Sequence, residues 1–463
     1  MSNMNIFIED IEDFIITRAQ INKCINEHGN AFLCGYVANE KFDSKYRNIL
    51  LNKTFIVKAR DDKDDLKMVF AGVVVDYKEM HQAQYCELEL WITGKTYLMD
   101  LIENKRIFQN TNQSYNDIMG EVSKEYGSCL IVNEQSLFSP MNHISLQYGE
   151  TDWDYIKRLA SEKAAPLIPY GADGFFSVGL IPNNSSYNIK ITDYQKICDI
   201  KNTNRRIQNG VDTDIRLEEC YVIRTREILE LGDNVNLEGI QSSLIVFQID
   251  SIYDDYSLVN TYILKHKEAF KVEYIKNYNI IGASILGTVE AVVGDKVEVL
   301  FDLEGNQDSK KLFDFATVYS SQNDAGWYCM PEKYDLVRLY FPNEKEEDAF
   351  VFNAMQVQKE GKDPKIKFFR NPQGKLIEFA PEYIKIANGD LMKIEMHDKD
   401  GIKIESTLPI IIKSDDKVKI ESTANTVTIE ADTEVSLRRE NSSIVIGNDI
   451  EMTAAQIHMQ DLS

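Results

Sequence analysis

From Met392/Ile394 onward the chain repeats a pair of apolar residues with one residue between them, and from Ile394 to Ile444 the steps are 8, 8, 8, 9, 8 and 9. The later pairs are Ile402/Ile404, Ile410/Ile412, Val418/Ile420, Val427/Ile429, Val435/Leu437 and Ile444/Ile446. Within each unit the alternation has period two, as in Ile-Lys-Ile-Glu, and Ser, Asp, Asn or Gly punctuates the joins. This predicts short strands with one apolar face and excludes helix, where apolar positions recur every three or four residues. A fixed short period is also the mark of a repeat architecture.

Each such strand has only two or three inward residues, and residues 384–463 contain no Phe, Tyr or Trp. One chain winding through them cannot build a thick core. Several copies wrapped round one another would bury Ile and Val on an axis and pair every strand edge, and three faces make the smallest closed prism. The expected tail, residues 361–463, is an intertwined triple-stranded β-helix made by a homotrimer. About ten strands at about 4.8 Å spacing give a rod of roughly 50 Å. Its axis would carry Ile394, Ile402, Ile404, Ile410, Ile412, Val418, Ile420, Val427, Ile429, Val435, Leu437, Ile444 and Ile446. A single-chain β-solenoid is the alternative, and it calls for wider coils and larger stacked side chains.

Upstream, GTVEAVVGDKVEVLF reads as two strands across a Gly-Asp turn, and YDLVRLYFP and DAFVFNAM add two more. Residues 283–360 are expected to form a small five-strand, OB-like barrel. Such barrels often bind oligonucleotides or sugars, but the acidic loop from Asn343 to Asp348 argues against nucleic acid. Trp327, Tyr328, Tyr340 and Phe341 alternate with polar residues, so they are expected in the core.

These residues carry a family resemblance. The run GxVxxVxxDKVxVxF from Gly287 to Phe301, then GWYCMPEKYDLVRLYFPNEKEEDAFVFNAM from Gly326 to Met355, then the octads, is similar to the barrel and spike of the VgrG family. That family includes hub-spike proteins of contractile phage tails, tailocins and type VI secretion systems. QYGETDWDYIKRLASEKAAPLIPY, Gln147 to Tyr170, resembles its QYxETDxDFIxRLxxE hub signature and is most similar to Gram-positive versions. The resemblance implies two hub barrels per chain, so that a trimer presents a pseudo-sixfold ring to a hexameric tail tube. No residue-level repeat relates the two halves.

The expected class is thus mainly β with a few helices. Residues 1–103 form a first hub β-barrel, 104–165 a helical segment, 166–282 a second hub barrel, 283–360 the OB-like barrel and 361–463 the spike. Ile118, Val122 and Tyr126 recur every four positions and predict a helix over 114–128. A second helix is expected over 151–164. Glu150, Asp152 and Asp154 could suggest a glycosidase-like acid/base pair, but Thr151 with Asp154 three residues on has capping-box spacing, and negative charge suits a helix N-terminus. The hub motif residues Thr151, Asp152, Trp153 and Asp154 are therefore read as structural, with Trp153, Ile156 and Leu159 as the buried stripe.

Charge and composition narrow the function further. With 51 basic against 74 acidic residues the formal net charge is −23, which repels nucleic acid and leaves no general nucleic-acid partner. Seven scattered cysteines without a CxxC pair fit reduced thiols in a chain made and assembled in a bacterial cytoplasm. The start, MSNMNIFIEDIEDFII, carries acids where an export signal carries Lys or Arg. Six dispersed histidines form no HExxH or HxH, and GxSxG, Walker A and GxGxxG are absent. No catalytic site and no cofactor are expected, and no lysozyme domain fits between Met355 and the tail.

Some spike tips in the resembled family hold an iron through an HxH pair from each chain. Here QIHMQ leaves His458 alone, expected outward between inward Ile457 and Met459, so a separate PAAR-like cap on Ile457, His458 and Met459 is expected in place of a metal. The expected function is mechanical: a trimeric hub-spike linking tail tube to baseplate wedge proteins and puncturing a target envelope. The alternatives are a trimeric tail fibre or adhesin and a polysaccharide-degrading spike.

Overall fold

The computed structural model describes the chain except residues 1–5, 10, 12, 43–53, 61–64, 128–129, 181–184, 191–192, 209–216, 320–322, 324–325, 356–362 and 460–463. Two units pack separately, Met1–Val357 and Gln358–Ser463.

The alternating front segments form β1 (Ile6–Ile8), β2 (Ile15–Cys24), β3 (Asn30–Ala38), β4 (Thr54–Arg60), β5 (Leu66–His81) and β6 (Tyr85–Thr93). The helical segment follows with β7 (Glu103–Phe108), α1 (Tyr115–Ser123), β8 (Leu130–Val132), β9 (Ser145–Thr151), α2 (Asp152–Ser161), β10 (Leu167–Pro169) and β11 (Phe176–Val178). Then come β12 (Ser186–Ile189), β13 (Gln195–Cys198), α3 (Ile200–Gln208), β14 (Glu219–Thr225), β15 (Asn234–Leu237), β16 (Leu244–Asp254) and β17 (Ser257–Lys265).

The front strands bury Ile21, Leu33, Val57, Leu88 and Leu90 in one core, while β14 to β17 bury Ile223, Val235, Val246 and Leu264 in another. Yet the strands meet in one sheet, ordered β1-β4-β5-β6-β3-β2-β16-β17-β14-β13, with β15 joining β12 to β16. The junction is the antiparallel pair β2–β16, from Cys24 opposite Gln248 to Ala19 opposite Tyr253.

Both helices form where their spacing places them. Ser114 caps α1 through a reciprocal capping box with Asp117, and Ile118 and Val122 are buried. Tyr126, expected in the same helix, lies in a following 3-10 turn, Lys124–Tyr126. Thr151 caps α2 by accepting the Asp154 N–H at 3.2 Å, and Trp153, Ile156 and Leu159 are fully buried in the helical core.

The predicted five-strand barrel closes from β18 (Ser284–Val293), β19 (Lys296–Phe301), β20 (Leu312–Ala316), β21 (Leu336–Tyr340) and β22 (Phe350–Met355). Val289, Val299, Phe313, Leu339 and Phe341 fill it. Of the four expected core aromatics only Phe341 is in the core: Trp327 and Tyr328 are 59% and 72% exposed, and Tyr340, half-buried on the opposite strand face from Leu339, packs with Phe350 and Phe352 at ring distances of 5.6 Å. The physical reason is that residues 326–334 run as a loop without a strand ladder, so alternation there does not alternate faces.

In the second unit β23 (Lys367–Arg370), β24 (Lys375–Phe379), β25 (Tyr383–Asn388), β26 (Met392–His397) and β27 (Gly401–Ser406) form an antiparallel meander. A second meander holds β28 (Val435–Arg439), β29 (Ser442–Ile446) and β30 (Ile450–Thr453). Between them the strands expected at Ile410/Ile412, Val418/Ile420 and Val427/Ile429 are absent from residues 407–434. A strand exists by pairing, and among the described residues these octads have no ladder partner.

Candidate functional site

Two features stand out, one in each unit. In the tail, antiparallel register sorts the residues by face. Ile377, Ile386, Ile394 and Ile404 lie opposite one another across four strands, and Ile384, Met396 and Ile402 form a second row. The other face carries Glu378, Lys385, Glu395 and Lys403, alternating in charge from strand to strand. Among the described residues nothing covers the apolar face: Ile394, Ile402 and Ile404 are all exposed, and with Ile410 the face forms a shallow groove.

The second meander repeats the arrangement. Val435, Ile446 and Ile450 share one row, and Leu437, Ile444 and Met452 the next. Ile410, Ile412, Val418, Ile420, Val427 and Ile429 are also exposed but belong to no sheet, and Ile457, His458 and Met459 follow β30 as exposed residues. Contiguous apolar surface on this scale marks an interface.

The hub motif lies at a buried ionic junction. Asp152, completely buried, accepts from Asn104 Nδ2 at 2.9 Å, Gln147 Nε2 at 2.8 Å, the Tyr126 hydroxyl at 2.9 Å, and Arg106. The Arg158 side chain, 2% exposed, donates from Nε and Nη2 to the two oxygens of Glu150 at 2.7 and 2.9 Å. Its Nη1 reaches Glu346 at 2.9 Å, and Nη2 also reaches the Leu146 carbonyl at 2.9 Å. Glu346 belongs to the acidic barrel loop, so part of the charge that argues against nucleic acid instead ties barrel to hub helix. Asn277 adds a 3.0 Å hydrogen bond to the same carboxylate.

Each carboxylate of the suspected acid/base cluster thus has its own partner, Asp154 pairing with Lys157 at 2.8 Å. Burial raises the Glu150 pKa against the lowering effect of Arg158. The sequence reading missed Arg106, Arg158 and Glu346. The available signal was Arg158 three residues after Tyr155, a helical step within a second buried row. Among the described residues no group of three or more His, Cys, Asp or Glu could hold a metal ion.

A neighbouring pair gives a pH dependence. His143 Nε2 lies 3.3 Å from Glu162, which also accepts from the Tyr115 hydroxyl at 2.7 Å. The bond to Glu162 raises the His143 pKa despite burial. For Glu162 burial opposes the charge, but the bonds from His143 and Tyr115 outweigh it and hold the pKa below the ordinary value. A raised histidine stabilises fully below its unfolded pKa of about 6.5 and loses this as pH climbs through the folded value; a lowered glutamate stabilises above about 4.5. His143→Gln is therefore expected to cost of order 1 kcal/mol at pH 5.5 and much less at pH 9, read by urea unfolding at both.

Comparison with known proteins agrees with this architecture. Residues 44–165 match the family model described as phage tail baseplate hub (GPD). The fold is similar to that of the E. coli c3393 protein, described as a type VI secretion component with structural similarity to T4 bacteriophage tail proteins gp27 and gp5. That match has a TM-score of 0.54 and 11% identity, covering 75% of this chain and 99% of that one. A Francisella PdpA-VgrG complex, half-lidded, matches with TM-score 0.56 and 12% identity over 87% of each chain. A lidless PdpA-VgrG complex matches with TM-score 0.53 and 13% identity, covering 84% and 93%. No curated protein matches the chain. The chain thus has a fold similar to that of these VgrG-type and phage tail proteins, and its segment 44–165 matches the phage tail baseplate hub (GPD) family model.

Proposed function

We propose that three copies of this chain form the central hub-spike of a contractile injection system, joining a hexameric tail tube to the baseplate and piercing a target envelope mechanically. The observation that carries this is the tail's uncovered apolar face. A single-layered sheet with Ile on one side and a charge ladder on the other is half of an interface, and three copies turned inward complete it. The hub fold supplies the rest of the reading, with the two hub cores of each copy facing the tube and baseplate wedge proteins alongside. Ile457, His458 and Met459 would seat a PAAR-like cap. The role needs no bond chemistry, metal or cofactor, because a rod that transmits axial load works by rigidity.

An interlocked prism unfolds slowly, since no strand leaves without breaking ladders to its neighbours. The assembled protein is expected to migrate as a trimer in SDS without boiling and as a 53.2 kDa chain after boiling; prompt dissociation in mild SDS contradicts the interlocked tail. Location tests the function itself. Gold-labelled antibody to this chain should mark only the baseplate end of intact particles in electron micrographs. Label along lateral fibres would instead favour an adhesin.

A further inference from the structure

The exposed aromatics of the barrel are gathered at one end. β20 and β22 run parallel with Ala316 opposite Phe352, so Val318 and Tyr319 lie at the end where β22 finishes at Met355. Leu336 of β21 pairs with Met355, which puts Tyr334 there too. β18 runs past that start, with the Tyr334 N–H donating to the Val289 carbonyl at 2.8 Å, and so brings Val293 and the Gly294 turn to the same end. The Trp327 N–H donates to the Tyr319 carbonyl at 2.9 Å and the Tyr328 hydroxyl to the Gly294 carbonyl at 2.7 Å. The result is a collar of Val318, Tyr319, Trp327, Tyr328 and Tyr334, each more than half exposed.

This is also the end from which the chain leaves for the tail. Twelve residue steps separate Met355 from Lys367, where β23 begins, and fully extended chain spans at most about 40 Å over that length. If three tails share one axis, three barrel exits are held close around it. Aromatic side chains with apolar bodies and hydroxyl or indole tips are the residues enriched in interface cores. We propose that the collar docks against the same barrel end of a second copy, forming a closed ring of three aromatic contacts. The proposal rests on the trimeric reading above. Nucleic acid is disfavoured as occupant because Asp295, Glu332 and Asp335 lie at the same end, where Lys296 is paired with Asp314.

Cys329, exposed within the collar, reports on it directly. The full-length chain and its Ile404→Asp/Ile420→Asp variant, expected to be monomeric, would be treated with a bulky maleimide and Cys329 modification followed by peptide mass. Modification at least tenfold slower in the trimer than in the variant supports the collar contact. Equal rates in a chain whose mass is that of a trimer overturn the collar and leave the trimer standing. A monomeric unaltered chain overturns both. Trp327→Ser/Tyr328→Ser, on side chains exposed in the single chain, should keep the trimer while restoring fast Cys329 modification; unchanged protection in that variant also overturns the proposal.

Discussion

A chain carrying Ile404→Asp and Ile420→Asp is expected to elute as a single 53.2 kDa copy where the unaltered chain elutes as three. Both isoleucines are exposed in the single chain, so the substitutions remove no intrachain core and the hub should fold as before. Ile404 lies opposite Ile394 at the edge strand of the first meander, and Ile420 lies in the stretch with no strand of its own. On a closed axis each would bring three carboxylates together without counter-charge. An unpaired buried carboxylate costs several kcal/mol at least, and the like charges repel one another besides. Unchanged trimer mass in this variant would rule out an Ile/Val axis.

Arg158→Ala is expected to destabilise the first unit by about 3–5 kcal/mol, the range found when one partner of a buried ion pair is removed. The loss strands Glu150 and Glu346, both largely desolvated, and removes the link between α2 and the barrel loop. Arg158→Lys should rescue little. A single ammonium cannot reproduce the fork that grips both Glu150 oxygens while reaching Glu346 and the Leu146 carbonyl. Urea unfolding followed by fluorescence of Trp153, buried on the same helix, reads the effect. A shift below about 1 kcal/mol would mean that the junction is a passive contact.

The parts of the fold legible in the sequence are those set by local period. Octads gave strands with one apolar face, GTVEAVVGDKVEVLF gave a hairpin, and Thr151 gave a helix start, because alternation and capping act over a few residues. Long-range pairing leaves no such trace. Asn22 and Asp250 are hydrogen-bonded partners 228 residues apart at the β2–β16 junction, and Arg158 meets Glu346 across 188. Trp327 and Tyr328 show the opposite error: alternation with polar residues points to the core, but here the chain loops out and both side chains are exposed. Residues 407–434 show a third limit, since an alternating pattern specifies an apolar face but not the ladder partner that a strand requires.

The most direct test of a three-chain tail is the mass of the purified full-length chain in solution, by light scattering after gel filtration. A mass three times 53.2 kDa, constant on dilution, is expected. A stable single-chain mass would contradict it, because the apolar octads would then have to close within one chain.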